Sequence, residues 1–293
     1  MTTTAPSPRV LLGTAGWDHP DWAGIIYPEG RGVDRLRHVA RYVDVIEIEQ
    51  TFFLLPSARS AQQWAENAAS NGLQFIVTAP RAMTHETAQE SPLFERFRDW
   101  LRPLEQAGVL LAVLFRFPQS LPRERRSARQ VRDALSAVEG VARVVELRHD
   151  SWNDPQVLAW LEGHHVAFAN LDQPALPGAL PATAWSTSSL AYVGLHGRNR
   201  AAWFARLEDP ERRSDYLYQL DELRAWHTRV RGLMQQAERV VVIAHNRFKG
   251  KALASLVKLR ALLGETELYA PAPLLQVDPE LTTLAVRPVP VGG

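Results

Sequence analysis

The chain has 293 residues, 46% hydrophobic and 22% charged, with a formal net charge of +1 and no cysteine. That length can bury one large core or two modest ones, and near-neutrality gives no global field that would draw the protein to nucleic acid or membrane. Without thiols there is no disulfide framework, thiolate nucleophile, zinc–sulfur site or iron–sulfur cluster.

In chain order, a β-branched run at residues 10–13 leads into Gly13-Thr14-Ala15-Gly16-Trp17. This turn either needs glycine dihedrals or turns backbone N–H groups toward an anion. An amphipathic helix is expected over 33–42 and a strand over 43–49, which carries Glu47 and Glu49. A helix over 57–69 starts at Ser57 as N-cap, after Pro56. A strand over 73–79 runs into Arg81 and His85, and a helix over 92–107 should kink or end early at Pro103. A strand over 109–115 ends at Arg116, and a helix follows over 124–138. The strand at 142–148 brings Glu146, Arg148 and His149, and Asp154-Pro155 opens a helix over 155–164. A strand over 166–172 carries Asn170 and Asp172. Residues 173–189, with three prolines and a Ser/Thr cluster, are expected as an irregular loop in place of a sixth helix. The strand at 190–196 ends in His196, with Arg198 and Asn199 beyond it. Asp209-Pro210 then opens a long helix over 211–236. The eighth strand, 239–246, leads to His245, Asn246 and Lys249, and a helix over 251–263 closes at Gly264. Residues 265–293 are an extension that wraps the outside or frays.

Eight strands alternating with helices, polar residues recurring at the strand ends, define an α/β fold of the TIM (β/α)8 type with its site at the C-terminal face. A doubly wound open sheet is the rival, but no G-x-G-x-x-G or G-x-x-x-x-G-K-[ST] follows any strand. One domain over 1–293 is expected, with its core at about 10–264. Residues 1–8 lack the basic and apolar regions of a signal peptide, and no apolar run approaches about 18 residues, so the cytoplasm is the expected location, with no membrane partner.

Several strand-end motifs carry a resemblance to a known family. They are Gly13-Thr14-Ala15-Gly16-Trp17, Ile46-Glu47-Ile48, Phe52-Phe53-Leu54-Leu55-Pro56-Ser57, Ala79-Pro80-Arg81 with Thr84-His85, and Glu146-Leu147-Arg148-His149 with Ser151-Trp152. His196-Gly197-Arg198, and Asn246 with Gly250 and Ala252, complete the set. In this order they resemble the domain-of-unknown-function 72 family, also called YecE-like. The resemblance implies a TIM barrel with its site at these strand ends and brings no assigned reaction. The chain departs from the family pattern at Glu49, where an amide is common, at Phe53 for Tyr, at Gly194 for a basic residue and at His245 for a second asparagine.

Period-two alternation places Val45, Glu47 and Glu49 on one strand face and Ile46 and Ile48 on the other, so the carboxylates point into the barrel mouth. The same parity pairs Glu146 with Arg148 and His196 with Arg198. One reading is a buried ion-pair network that only holds the barrel together. The functional reading is an enzyme with Glu47, Glu146 and His196 as catalytic groups. Its ligand contacts are Arg148 and Arg198 as anion anchors, Arg81 and Lys249 in support, with His85, His149, Trp17 and Asn246 around them. The ligand is then a small anion, phosphorylated or nucleotide-like. Tryptophans in loops after strands leave nucleic acid open as a partner, although Trp17 can instead simply close a loop. Cofactors stay open, and so does a metal, whose site would be assembled from separate strands, for example Glu47, Glu49, Asp172 and His196. Two alternatives remain, a metal-dependent phosphodiesterase or nuclease and a noncatalytic ligand sensor. Oligomeric state is not legible.

Overall fold

The computed structural model describes residues 9–86, 92–203 and 210–291. Eight parallel strands close into a barrel in chain order. They are β1 (Arg9–Ala15), β2 (Val45–Ile48), β3 (Gln74–Thr78), β4 (Leu110–Arg116), β5 (Arg143–Glu146), β6 (Val166–Asp172), β7 (Leu190–Leu195) and β8 (Arg239–Ala244). Gly13 of β1 pairs with Val45 of β2 on one side and Ile243 of β8 on the other, which closes the ring. A Cβ on Gly13 would lie 2.0 Å from the Val45 carbonyl oxygen, so this approach requires glycine. Gly16 takes φ +73° and donates its N–H to Glu47 O at 2.9 Å. The first turn is therefore built on glycine dihedrals and spends that donor inside the protein.

Alternation along the strands sorts the core into two layers. Leu11, Val45, Ile76, Leu114, Val144, Ala169, Tyr192, Val241 and Ile243 fill the barrel interior. Leu12, Ile46, Ile48, Phe75, Val77, Phe115, Val145 and Val242 face the helices. Burying both strand faces is what gives parallel strands their continuous apolar runs.

Sequence signals set most helix ends. The helix Ala58–Asn71 begins where Ser57 Oγ accepts the Ser60 N–H at 3.1 Å, and it turns its buried Ala61, Ala65 and Ala68 inward. The helix Pro155–Gly163 is capped by Asp154, whose side chain accepts the Gln156 N–H. Pro103 does not end its helix, which runs over Pro92–Gln106; the Ala107 N–H still reaches Pro103 O at 3.1 Å. Buried Leu101 and Leu104 hold that last turn on the barrel. The first expected helix shortens to Arg35–Val39.

The expected long helix over 211–236 is corrected. A 3₁₀ turn over Pro210–Ser214 and an extended link precede a helix confined to Leu220–Leu233, which opens with a capping box between Gln219 and Glu222. Asp209 lies outside the described residues. The link stays extended because Tyr218 is fully buried there and its hydroxyl accepts the Gly197 N–H at 2.9 Å.

Residues 173–189 contain no helix, as expected. Asn170 organises this loop, its Nδ2 donating to Trp185 O at 3.0 Å and its Oδ1 accepting from Thr183 at 2.8 Å and the Trp185 N–H at 2.7 Å. Over its described residues, 265–291, the extension wraps rather than frays. A parallel pair, β9 (Tyr269–Pro271) and β10 (Arg287–Val289), lies beyond the last barrel helix, Lys251–Leu262. Fully buried Lys258 on that helix holds Asp278 at 2.7 Å and Glu280 at 2.5 Å.

Candidate functional site

At the C-terminal mouth, charged residues from three strands meet around one guanidinium. Arg116, ending β4, donates from Nη2 to Glu47 Oε1 at 2.7 Å, from Nη1 to Glu49 Oε1 at 3.2 Å and from Nε to the Glu146 carboxylate at 3.1 Å. Burial alone would make the guanidinium shed its proton more readily, but Glu146, Glu47 and Glu49 outweigh it and hold Arg116 firmly cationic.

Each carboxylate has further partners. Glu47, fully buried on β2, accepts from Thr78 Oγ1 at 3.0 Å and from the Tyr192 hydroxyl at 2.7 Å. Burial and the facing Glu47 and Glu146 carboxylates push Tyr192 well above the ordinary phenol range, so it remains a donor. Glu49 reaches Arg247 Nη1 at 2.9 Å, and Arg247 Nε donates to Glu211 at 2.8 Å. Burial opposes ionisation of Glu49, yet Arg247, His245 and Arg116 together keep it well below the usual carboxylate range. Glu146, at the end of β5, accepts from Arg148 Nε at 2.6 Å. Burial would raise its pKa, but the charges of Arg116 and Arg148 bring it down to about 2.

Two histidines form the wall. His196 and His245 stack with centroids 4.1 Å apart and planes 18° from parallel. His245 Nε2 lies 3.2 Å from the Tyr192 hydroxyl and 3.5 Å from Glu47. His196 Nε2 is buried without a hydrogen-bond partner, 3.8 Å from Glu146 Oε2. Burial, then the charges of His245, Arg148 and Arg116, lower its pKa well below 6.5, so the imidazole is neutral near pH 7. Gly194 makes room for it, since a Cβ there would lie 3.2 Å from His196 Nε2. The Arg148 guanidinium lies over the Trp203 ring at 5.7 Å, and the His196 ring meets the same indole edge-on at 6.3 Å.

The structure thus brings Glu47, Glu146, Arg148 and His196 together. Other expected site residues lie elsewhere or at the edge. Arg198 leaves the mouth because Gly197, at φ +80°, breaks the strand alternation after His196. Its Nε donates to both Asp172 oxygens at 3.0 and 3.1 Å and its Nη1 to Glu222 at 3.0 Å, so it ties β6 to the helix Leu220–Leu233. Asn246 faces the helix layer; its Nδ2 donates to Tyr216 O at 2.9 Å and Ser255 Oγ at 2.9 Å. Trp17 packs edge-on against Trp64 at 5.0 Å in the helix layer, where both border a surface groove of ≈ 500 Å³ with Asp34 and Arg35. His149 Nδ1 accepts the Ser151 N–H at 3.2 Å and so caps a 3₁₀ turn. Lys249 lies over the Phe248 ring at 5.5 Å. Arg81 pairs with Glu86 at 3.2 Å on the exposed rim. His85, at the edge of the mouth, bonds Thr84 Oγ1 at 2.9 Å, and burial and then the positive charges of Arg81, Arg148 and Arg116 lower its pKa.

Arg116 as the hub, Tyr192, and His245 as part of the wall lie outside the set that sequence reasoning picked as site residues. Parity along β8 carries the signal for His245, because Val241 and Ile243 face the interior and residue 245 continues that face. Tyr192 sits on the same inward face of β7 as Gly194 and His196.

Glu47, Glu49 and His245 can each offer a ligand atom within 4.8 Å of the others, the one grouping of its kind among the described residues with metal-binding spacing. Their oxygens already serve Arg116, Tyr192 and Arg247, with which a metal would compete. Asp172, expected among possible ligands, is engaged by Arg198.

This geometry defines the class: a closed (β/α)8 barrel whose C-terminal mouth holds a buried, charge-compensated cluster of acids, arginines and histidines. The chain belongs to the family described as "Protein of unknown function DUF72", whose profile matches residues 11–277. A solved DUF72 family protein from Thermotoga maritima MSB8 is 27% identical, with TM-score 0.77 over 87% of this chain and 99% of that one. A DUF72 family protein from Enterococcus faecalis V583 is 20% identical, with TM-score 0.77 over 88% of this chain and 96% of that one, and shares the fold. No curated protein matches the chain. Among the described residues, no helix is long and apolar enough to cross a membrane.

Proposed function

We propose that the barrel mouth binds a small phosphorylated or otherwise anionic molecule and that the protein is an enzyme moving a proton on it. Arg148 is the anion contact and His196 the proton-transfer group, with Glu47 and Glu146 orienting the charges around them. The observation carrying this reading is the buried, partnerless Nε2 of a neutral imidazole that shares Glu146 with Arg148. A neutral imidazole can take a proton from a bound ligand, and a guanidinium beside it stabilises negative charge that develops there. Arg198 is the lesser anchor in this reading, because its Nε and Nη1 are engaged by Asp172 and Glu222.

Phosphate or sulfate is expected to raise the melting temperature of the wild type by mass action. Arg148→Ala should shrink that rise, and an equal rise in the variant would overturn the assignment. A screen of phosphorylated metabolites separates the classes. His196→Ala that keeps binding and loses turnover supports the enzyme, and binding without turnover in the wild type makes the protein a ligand sensor. The metal-dependent phosphodiesterase reading rests on the Glu47, Glu49 and His245 grouping and requires turnover that chelator abolishes and divalent cation restores.

A further inference from the structure

The guanidinium of Arg148 is held on two sides by the chain itself. Glu146 takes its Nε at 2.6 Å and its Nη2 at 2.6 Å, so the edge between those nitrogens is spent. One π face is spent as well, because Arg148 Cζ lies 5.7 Å from the centroid of the Trp203 ring. These two partners leave the end of the fork, Nη1 with the outer side of Nη2, on a side chain that is 18% exposed and so within reach of a ligand. An end-on fork accepts two oxygens of one phosphate or carboxylate.

Local anchors bring Trp203 to this place. Gly197, at φ +80°, turns the backbone out of β7, and Arg198 behind it is tied to Asp172. Asn199 then starts the short helix Arg200–Trp203: its Oδ1 accepts the Ala202 N–H at 3.2 Å, and its Nδ2 donates to Asp215 O at 3.0 Å. Buried Ala202 seats that helix, and Trp203, the next residue, returns to the mouth. There the indole also meets His196 edge-on, with centroids 6.3 Å apart and planes 89° from parallel. One side chain thus borders both the guanidinium and the imidazole.

From this geometry we infer that Trp203 is a positioning residue of the mouth: its indole face fixes the plane of Arg148, so that the open end of the fork is aimed at an anion beside His196. The inference rests on the anion reading of the mouth and adds to it the residue that aims the anchor. A cation is drawn to the centre of an aromatic face, which opposes the swing of a guanidinium that Glu146 pins at only one edge. An arginine already held on face and edge has less freedom to lose when it captures an anion. Trp203 acts through Arg148 and needs no contact with the anion.

Inorganic phosphate is the probe, its affinity measured by calorimetry on the full chain. Trp203→Leu should weaken binding about tenfold, the scale of a partly desolvated cation–π contact, while Trp203→Phe, which keeps a ring face, should stay within about threefold of the wild type. In an Arg148→Lys background the cation is a point charge with no plane to fix, so Trp203→Leu should change the affinity by less than about twofold. A side chain that only packs would cost the same in both backgrounds. Unchanged affinity in Trp203→Leu, equal losses in the leucine and phenylalanine variants, or an equal loss with lysine at position 148 overturns the inference and leaves the anion reading standing. Should the leucine variant fail to fold, Trp203→Met carries the same expectation. A wild type that binds no phosphate overturns both.

Discussion

His196 and His245 stack ring on ring at 4.1 Å, one imidazole beside Glu146 and the other beside Glu47. Two positive rings at that distance repel, so the pair favours keeping at least one of them neutral. Burial, then the charges of His245 and Arg148, takes His196 well below its ordinary pKa of 6.5. The folded protein then binds fewer protons at this site than the unfolded chain. The stabilisation is present above pH 6.5 and is lost as pH falls below it. In His196→Gln the decline of stability between about pH 6.5 and pH 5 should be shallower than in the wild type. Urea midpoints across that range measure it, and superimposable slopes would show that His196 titrates normally.

Arg116 neutralises three carboxylates at once, so its removal leaves buried charge without a partner. Arg116→Leu should destabilise by roughly 3–5 kcal/mol, and Arg116→Lys should rescue little because an ammonium lacks the three-edged fork. A loss below about 1 kcal/mol in urea unfolding would mean that solvent already screens the cluster.

The depressed pKa of Glu146, about 2, sets a different pH window. Its ionised form is favoured by folding, so its contribution is complete above its ordinary value of 4.5 and disappears as pH falls toward about 2. Glu146→Gln should therefore be markedly less stable than the wild type at pH 7, with the difference closing below pH 4.5. A constant difference from pH 7 to pH 3, read by denaturation, would place the cost in packing rather than charge.

In the helix layer, fully buried Lys258 pairs with Asp278 and Glu280 and donates to Tyr218 O at 2.9 Å. Lys258→Met should cost roughly 3–5 kcal/mol by stranding the buried Asp278 carboxylate. It should also open the chain after residue 264 to limited proteolysis. Asp278→Asn combined with Lys258→Met should recover part of the loss. Unchanged stability and protease resistance in Lys258→Met would show that the extension is held by apolar packing alone.

Local pattern determined much of this protein. Alternation along 43–49 placed Glu47 inward because side-chain direction in a strand depends only on parity, and Ser57 and Asp154 marked helix starts because capping is a contact within one turn. The prolines of 173–189 removed a helix for an equally local reason. Tertiary structure decided who neutralises whom. Arg116 meets Glu47 and Glu146 across sequence separations of 69 and 30 residues, which leave no trace in composition or spacing. Parity failed at Arg198 because Gly197 takes a left-handed turn, whereas Asn246 follows the outward parity of β8 and meets Ser255. Tyr218, whose burial keeps residues 215–219 out of the helix, gains its place only once the Gly197 N–H and Lys258 arrive from distant segments. A strand states which way its side chains point, but the charges they meet come from strands that only barrel closure brings alongside.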